Sequence, residues 1–220
     1  MKDIELFAFD LDGTLLDTAP DFLFAVNALR DKYNYGKADY DQVRSRVSQG
    51  AASLAAYALN LENKSPQKIE FHRQELLEIY ESCCLMSTVI FSGVEDVLNE
   101  LNNEKIKWGI VTNKPRKFAE SIVEDKLGEF KPPFLICPDD VGARKPDPDG
   151  LLLALEVSNS KPSKSIYIGD HIIDIQAGER AKMFTGAAAY GYIPNNDDVK
   201  NWNSSHIFNK AKDIISLIAK

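Results

Sequence analysis

The feature that most constrains this chain is a break in its polarity near the start. The run Ile4-Glu5-Leu6-Phe7-Ala8-Phe9 is almost wholly apolar and β-forming, and it ends in Asp10-Leu11-Asp12-Gly13-Thr14. A run this short and this apolar reads as a strand buried on both faces. Positions i and i+2 of a strand share a face, so Asp10 and Asp12 leave the strand pointing the same way. Gly13 then permits a sharp turn. Two carboxylates so placed repel by about 4 kcal/mol at ~4 Å and an effective dielectric of 20, and a cation is the natural offset. An EF-hand is excluded, because its glycine is the sixth loop residue and Gly13 is the fourth counted from Asp10.

Further strands are expected at residues 107–111, 134–137, 165–168 and 183–187, with the first at 4–9. Helical patterns separate them. Val94, Val97, Leu98 and Leu101 line one face behind Ser92-Gly93; Pro115 opens a helix at its first turn; a helix continues from Ile172 to Ala181; and Ile214, Ile215, Leu217 and Ile218 read as an amphipathic helix. Strands alternating with helices imply a parallel sheet covered on both faces. The expected fold class is therefore α/β, a Rossmann-like parallel-sheet core.

Residues 15–87 interrupt that alternation. They carry helical patterns at 21–33, 53–59 and 69–83 and no convincing strand. Roughly seventy residues far exceeds an ordinary βα connection, so an all-helical domain is expected to be inserted just after the paired carboxylates. The division expected is a core of residues 1–15 and 88–220 with a helical insertion of residues 16–87. An insertion there sits over the carboxyl ends of the strands, where open α/β sheets bind ligands.

Of the 220 residues, 44% are hydrophobic and 27% charged, which is ordinary for a soluble globular chain. The net charge of -7 lacks the basic footprint of a general nucleic-acid binder, so no nucleic-acid partner is expected. Cys83, Cys84 and Cys137 are odd in number and lack a Cys-x-x-Cys spacing, so reduced thiols and a cytoplasmic location are expected. Met1-Lys2-Asp3 leads directly into the first strand without a signal peptide, and no stretch is apolar enough to span a bilayer, so no membrane partner is expected. A monomer or weak dimer is the expected state.

Three other strand ends carry polar residues. Gly109-Ile110-Val111 runs into Thr112-Asn113-Lys114-Pro115, where a hydroxyl, an amide and the N–H groups of a helix start suit an anion. Gly142-Ala143-Arg144-Lys145-Pro146 supplies a cation, and Tyr167-Ile168-Gly169-Asp170 is followed four residues later by Asp174, on the same helical face. Taken singly these read as a helix cap, a solvated lysine and a capping Asp. Together they supply carboxylates, a hydroxyl, an amide and an ammonium, the parts of a magnesium-assisted phosphoryl-transfer site.

The set Asp10-Leu11-Asp12-Gly13-Thr14, Thr112-Asn113, Lys145 and Gly169-Asp170-x-x-x-Asp174 resembles the haloacid dehalogenase superfamily along the whole chain, and the insertion looks like its C1-type cap. Asp17-Thr18-Ala19-Pro20-Asp21-Phe22, Trp108 to Pro115, Leu135 to Asp139 and Tyr190-Gly191-Tyr192-Ile193 look like the N-acetylmuramic acid 6-phosphate phosphatases within it, relatives often labelled phosphoglycolate phosphatase. The resemblance implies a Mg²⁺-dependent phosphomonoester hydrolase acting on a small phosphorylated metabolite through an aspartyl-phosphate. Asp10 would be the nucleophile and Asp12 the general acid and base. Thr112 and Asn113 would hold the phosphoryl oxygens, and Lys145 would neutralise Asp10 and phosphate. Asp10, the Asp12 carbonyl and Asp170 would bind Mg²⁺, with Asp174 supporting its waters. The alternatives are a phosphoglycolate phosphatase, a β-phosphoglucomutase-like enzyme, and a receiver-like phospho-accepting module.

The chain departs from the family pattern at His171 and Ile173, near the metal site, and at Gln49-Gly50-Ala51-Ala52, where the cell-wall phosphatases tend to have an Arg. Small residues at Gly50, Ala51, Ala52 and Ser53 imply room for a larger substrate, and Arg44 or Arg46 is the expected source of a cation for its carboxylate.

Overall fold

The computed structural model describes residues 4–194 and 197–218; the expectation placed on Met1 to Asp3 lies outside them. Six parallel strands form one sheet. In chain order they are β1 (Leu6–Phe9), β4 (Lys107–Val111), β5 (Leu135–Ile136), β6 (Ser165–Gly169), β7 (Phe184–Ala188) and β8 (His206–Phe208), and in space the order is β5-β4-β1-β6-β7-β8. The apolar run that opens the sequence is thus central, paired on both sides and buried at every position.

Alternation along β1 divides the core in two. Phe7 and Phe9 pack with Trp108, Ile110, Ile166 and Ile168 on one face, beneath helices α5 (Val94–Asn103) and α6 (Arg116–Leu127). Leu6 and Ala8 face the other way, against Leu151 and Ala154 of α7 (Asp149–Val157) and Ala177 of α8 (Ile172–Arg180). Full burial of each large apolar side chain contributes about 1.5–3 kcal/mol, so both faces must be covered, as the helix–strand alternation requires.

Between β1 and β4 the chain leaves the sheet. A two-stranded antiparallel ribbon, β2 (Leu16–Asp17) with β3 (Val89–Ile90), brings the departing and returning segments together. Between them run α1 (Ala19–Lys32), α2 (Tyr40–Arg44), α3 (Ala51–Leu59) and α4 (Pro66–Glu81). Ser65 caps α4 by accepting from the Lys68 N–H, and Pro66 occupies its first turn. The buried Asp21 carboxylate accepts from Ser87 N (2.7 Å), Thr88 N (3.1 Å) and Thr88 Oγ1 (2.7 Å), fastening α1 to the returning segment.

The ribbon corrects the expectation of no strand between residues 15 and 87: β2 lies inside that span, but two residues are too few to leave a period. Residues 211–217 form a 3₁₀ helix rather than the expected α-helix. Pro115 stands one place earlier than expected, at the N-cap of α6. The strand β8 and the helices α2 and α7 are additional to the sequence-based assignment. Cys83, Cys84 and Cys137 are free and buried. Among the described residues no helix is long and apolar enough to cross a membrane.

Candidate active site

The strand ends of β1, β4 and β6 and the loop before α7 converge beneath the helical layer. Asp10 N donates to Ile168 O (2.9 Å), carrying the β1–β6 pairing one residue past the strand and fixing the first carboxylate. Gly13 has φ of +83°, and a Cβ there would lie 2.1 Å from Asp170 Oδ2. Only glycine lets the turn pass this close to a carboxylate.

Asp10, Asp170 and Asp174 are all buried and offer oxygens within 4.8 Å of one another. Lys145 is buried among them. Its Nζ lies 2.8 Å from Asp10 Oδ1 and 2.8 Å from Asp174 Oδ1, and it donates to Tyr167 Oη at 2.7 Å. Asp10 Oδ1 has this ion contact but no hydrogen-bond partner. Burial raises the Asp10 carboxyl to about 7, with the charges of Asp174 and Asp12 acting in the same sense against Lys145. Burial also drives Asp170 far above its ordinary range, reinforced by Asp10 and Asp174. For Lys145 burial acts downward, yet the attraction of Asp10 and Asp174 outweighs it and raises the ammonium above its usual value.

Of the three buried carboxylates two, Asp10 and Asp174, share the one ammonium, and Asp170 has only neutral donors. That donor set fits a hard divalent cation, which takes oxygen ligands and offsets clustered negative charge.

The remaining bonds show what holds the cluster. Asp170 Oδ2 accepts from Tyr192 N and from Ser48 Oγ, both at 2.9 Å, and Thr14 Oγ1 reaches Oδ1 at 3.4 Å. Ser48 comes from the segment between α2 and α3, so the helical layer touches the carboxylate cluster directly. Asp174 Oδ2 accepts from His171 N (3.0 Å) while His171 Nδ1 accepts from Ile173 N (3.3 Å), a reciprocal cap at the start of α8. His171 thus serves as a capping residue, and burial lowers its pKa.

Asp12 stands apart from the cluster. Its Oδ1 accepts from Thr18 Oγ1 (2.6 Å) and from Lys114 Nζ (2.9 Å). Lys114 also donates to Tyr80 Oη (3.0 Å) and lies 4.9 Å from the Phe22 ring centroid and 4.7 Å from that of Tyr80. The two rings are stacked 4.0 Å apart. Asp12 is therefore tied through one lysine to α1 and α4.

The Thr112 hydroxyl accepts from Lys114 N (3.1 Å), and Asn113 makes a reciprocal pair with the Lys145 backbone: Nδ2 donates to Lys145 O and Oδ1 accepts from Lys145 N, both at 3.0 Å. The Asn113 amide thus holds the lysine loop in place.

The seven residues expected to carry the phosphoryl chemistry come together here, whereas the two arginines expected to meet the rest of the substrate do not. Thr112, Asn113, Lys145, Asp10, Asp12 and Asp174 line an inner chamber of about 70 Å³, and Asp170 lies behind it. Through shared walls at Ser48, Gly50, Ala51 and Leu77 this chamber opens into an outer one of about 420 Å³. Three residues escaped sequence reasoning: Tyr167, Lys114 and Ser48. Only Lys114 had a visible signal, a basic residue directly after Thr112-Asn113.

Arg44 and Arg46 are not where a substrate cation was expected. Arg44 Nη2 donates to Gly191 O (2.7 Å) and Tyr190 O (3.3 Å), with its guanidinium 4.9 Å from the Tyr192 ring centroid. Arg46 donates to Gln42 and sits 4.7 Å from the Tyr57 ring centroid. Neither lines a chamber. The receiver-like alternative also lacks its acceptor: Asp139, after β5, accepts from Arg116 N at the start of α6 (2.9 Å) and is outside the carboxylate cluster.

Comparison with known proteins identifies the chain's relatives. The chain is 38% identical over 220 residues to the N-acetylmuramic acid 6-phosphate phosphatase of Pseudomonas aeruginosa, covering 99% of this chain and 97% of the relative. It is 35% identical over 197 residues to a phosphoglycolate phosphatase of Xanthomonas campestris, covering 89% and 88%. Its fold matches the crystal structure of a predicted phosphoglycolate phosphatase from Haemophilus somnus with a TM-score of 0.88 over 100% of both chains, at 22% identity. The model of the haloacid dehalogenase-like hydrolases matches residues 7–188. The chain belongs to the haloacid dehalogenase-like hydrolase family.

Proposed function

We propose that the chain is a Mg²⁺-dependent phosphomonoesterase acting through an aspartyl-phosphate, with N-acetylmuramic acid 6-phosphate as its substrate. The observation that carries the reaction is the contrast between two carboxylates on one turn: Asp10 in an ion contact with a buried lysine, Asp12 outside the cluster on a hydroxyl and a second ammonium.

The phosphoryl group enters the inner chamber. Asp10 attacks phosphorus, and the bond to the leaving alkoxide breaks while Asp12 donates its proton to that oxygen. Water then attacks the phosphorus of the aspartyl-phosphate. Asp12 takes the water's proton, the bond to Asp10 breaks, and phosphate leaves. Splitting the displacement this way replaces one difficult step with two easier ones. Lys145 neutralises Asp10 and the incoming anion. The Thr112 hydroxyl and the Asn113 main-chain N–H bind phosphoryl oxygens, and the Asn113 amide keeps Lys145 in register. Asp10, the Asp12 carbonyl and Asp170, with Asp174 beside them, would hold Mg²⁺. When bound, the ion supplies positive charge that screens nucleophile from substrate.

Residues 16–87 act as a cap on a core of residues 1–15 and 88–220, excluding water when closed. The substrate assignment is supported by the Pseudomonas aeruginosa relative's identity over nearly its whole length and by an outer chamber several times the volume of the inner one. Phosphoglycolate is the second reading, supported by the Xanthomonas campestris relative; it would leave the outer chamber largely unused. The three free cysteines fit a cytoplasmic setting.

Phosphate release from p-nitrophenyl phosphate tests the reaction. EDTA is expected to abolish turnover and Mg²⁺ to restore it; full activity in metal-free buffer would contradict the proposal. The kcat/KM values for N-acetylmuramic acid 6-phosphate and phosphoglycolate decide between the two substrates.

A further inference from the structure

We infer that Arg144, assisted by Arg73 from the opposite wall, forms a subsite in the outer chamber for a carboxylate that the substrate carries away from its phosphate. The inference rests on the phosphomonoesterase reading and adds to it the chemical class of the leaving group.

The outer chamber is built from two sides. Arg73 and Leu77 of α4, with Gln49 to Ala52, form one wall; Asn113, Pro115, Pro138, Asp139, Arg144 and Lys145 form the other. Its described acidic lining residue, Asp139, is already engaged with Arg116 N. Arg73 pairs with Glu70 at 2.7 Å, on the helix surface. Arg144 differs from both. It is exposed, it lines the chamber, and among the described residues its guanidinium has no hydrogen-bond or ion-pair partner. It also immediately precedes Lys145, whose Nζ marks the phosphoryl end. A rigid planar donor so placed suits bidentate recognition of a carboxylate.

Consecutive residues thereby divide the ligand. Lys145 turns inward to the reacting end, and Arg144 is left for the other. Arg44 and Arg46 are committed elsewhere, so the outer chamber's cations are Arg73, Arg144 and Lys145. Polar, non-carboxylate leaving groups would fit the same volume but leave Arg144 unused.

Two esters of one sugar separate these possibilities. N-acetylmuramic acid 6-phosphate carries a lactyl carboxylate that N-acetylglucosamine 6-phosphate lacks. The wild-type enzyme is expected to prefer the first by kcat/KM. In Arg144→Gln that preference should shrink about 10- to 100-fold, the worth of a charge-assisted hydrogen bond. Arg144→Lys should recover part of it, and Arg144→Glu should lose more than Arg144→Gln. Equal losses on both esters in Arg144→Gln would overturn the subsite, because the residue would then serve the shared phosphoryl end. A wild type without preference would overturn it too, while turnover of p-nitrophenyl phosphate would keep the phosphomonoesterase reading intact. No turnover of any of the three esters overturns that reading and the subsite with it.

Discussion

The inner and outer chambers share walls but differ in how their charges are held. In the inner one Lys145, Asp174, Asp170 and Asp12 each have short, buried or part-buried partners, and the groups are locked before any ligand arrives. In the outer one Arg144 is exposed and has no partner for its guanidinium among the described residues, and the walls at Gly50, Ala51 and Ala52 are small. Rigid, preorganised charge is what transition-state stabilisation needs. Uncommitted charge and spare volume are what a variable leaving group needs. The contrast teaches that reaction and substrate choice are separable properties of this fold.

Substitutions on the inner side should break activity on every ester. Asp10→Asn is expected to remove turnover below detection, while circular dichroism shows an intact fold. Lys145→Met should leave the buried Asp10 and Asp174 carboxylates without their ammonium, and denaturant unfolding in metal-free buffer should report a loss of about 3–5 kcal/mol. A variant as stable as wild type would show that the cluster does not depend on Lys145.

Metal and pH sharpen the same side. In the metal-free protein Asp10 is raised from 3.8 to about 7, chiefly by burial. A carboxyl held above its unfolded value stabilises the fold fully below that unfolded value. The contribution is lost as pH rises through the folded one. Thermal stability of the metal-free protein should therefore fall between about pH 4 and about pH 7, and Mg²⁺ should raise Tm more at the higher pH, where no proton competes. At 100 times its Kd the ion stabilises by about 2.7 kcal/mol. Equal Tm gains at both pH values would contradict the shared site.

The smallest effect belongs to the contact between the two layers. Tyr80→Phe removes one hydrogen bond to Lys114 and keeps the ring stacked on Phe22. Stability should drop by about 1 kcal/mol, with kcat/KM falling by similar factors for p-nitrophenyl phosphate and both sugar esters. A change confined to one ester would place Tyr80 in substrate choice instead.

How much of this was legible in the sequence follows from distance along the chain. Asp10 with Asp12, and Asp170 with Asp174, are set by strand and helix periods, so local spacing suffices. The five strands of the sheet from β1 to β7 show as apolar runs for the same reason. Tyr167 looks like an ordinary strand residue until Lys145 folds against it, 22 positions away. Ser48 reaches Asp170 across 122 positions, and nothing in its neighbours marks it. Arg44 and Arg46 were attractive by proximity to the Gly50 segment, yet backbone carbonyls and aromatic rings had already taken them. The two-residue strands β2 and β3 carry too few positions to show alternation.

The central claim is that Asp10 carries the phosphoryl group in mid-reaction. Asp12→Asn should slow release of that group, since general acid–base help is worth about 10²–10⁴-fold. Acid-quenching this variant during turnover of p-nitrophenyl phosphate with Mg²⁺, followed by peptide mass mapping, tests it most directly. A phosphorylated peptide containing Asp10 is expected, its fraction rising with substrate and vanishing in Asp10→Asn combined with Asp12→Asn. Phosphate released steadily with no modified peptide, or a modification at any other residue, would contradict it.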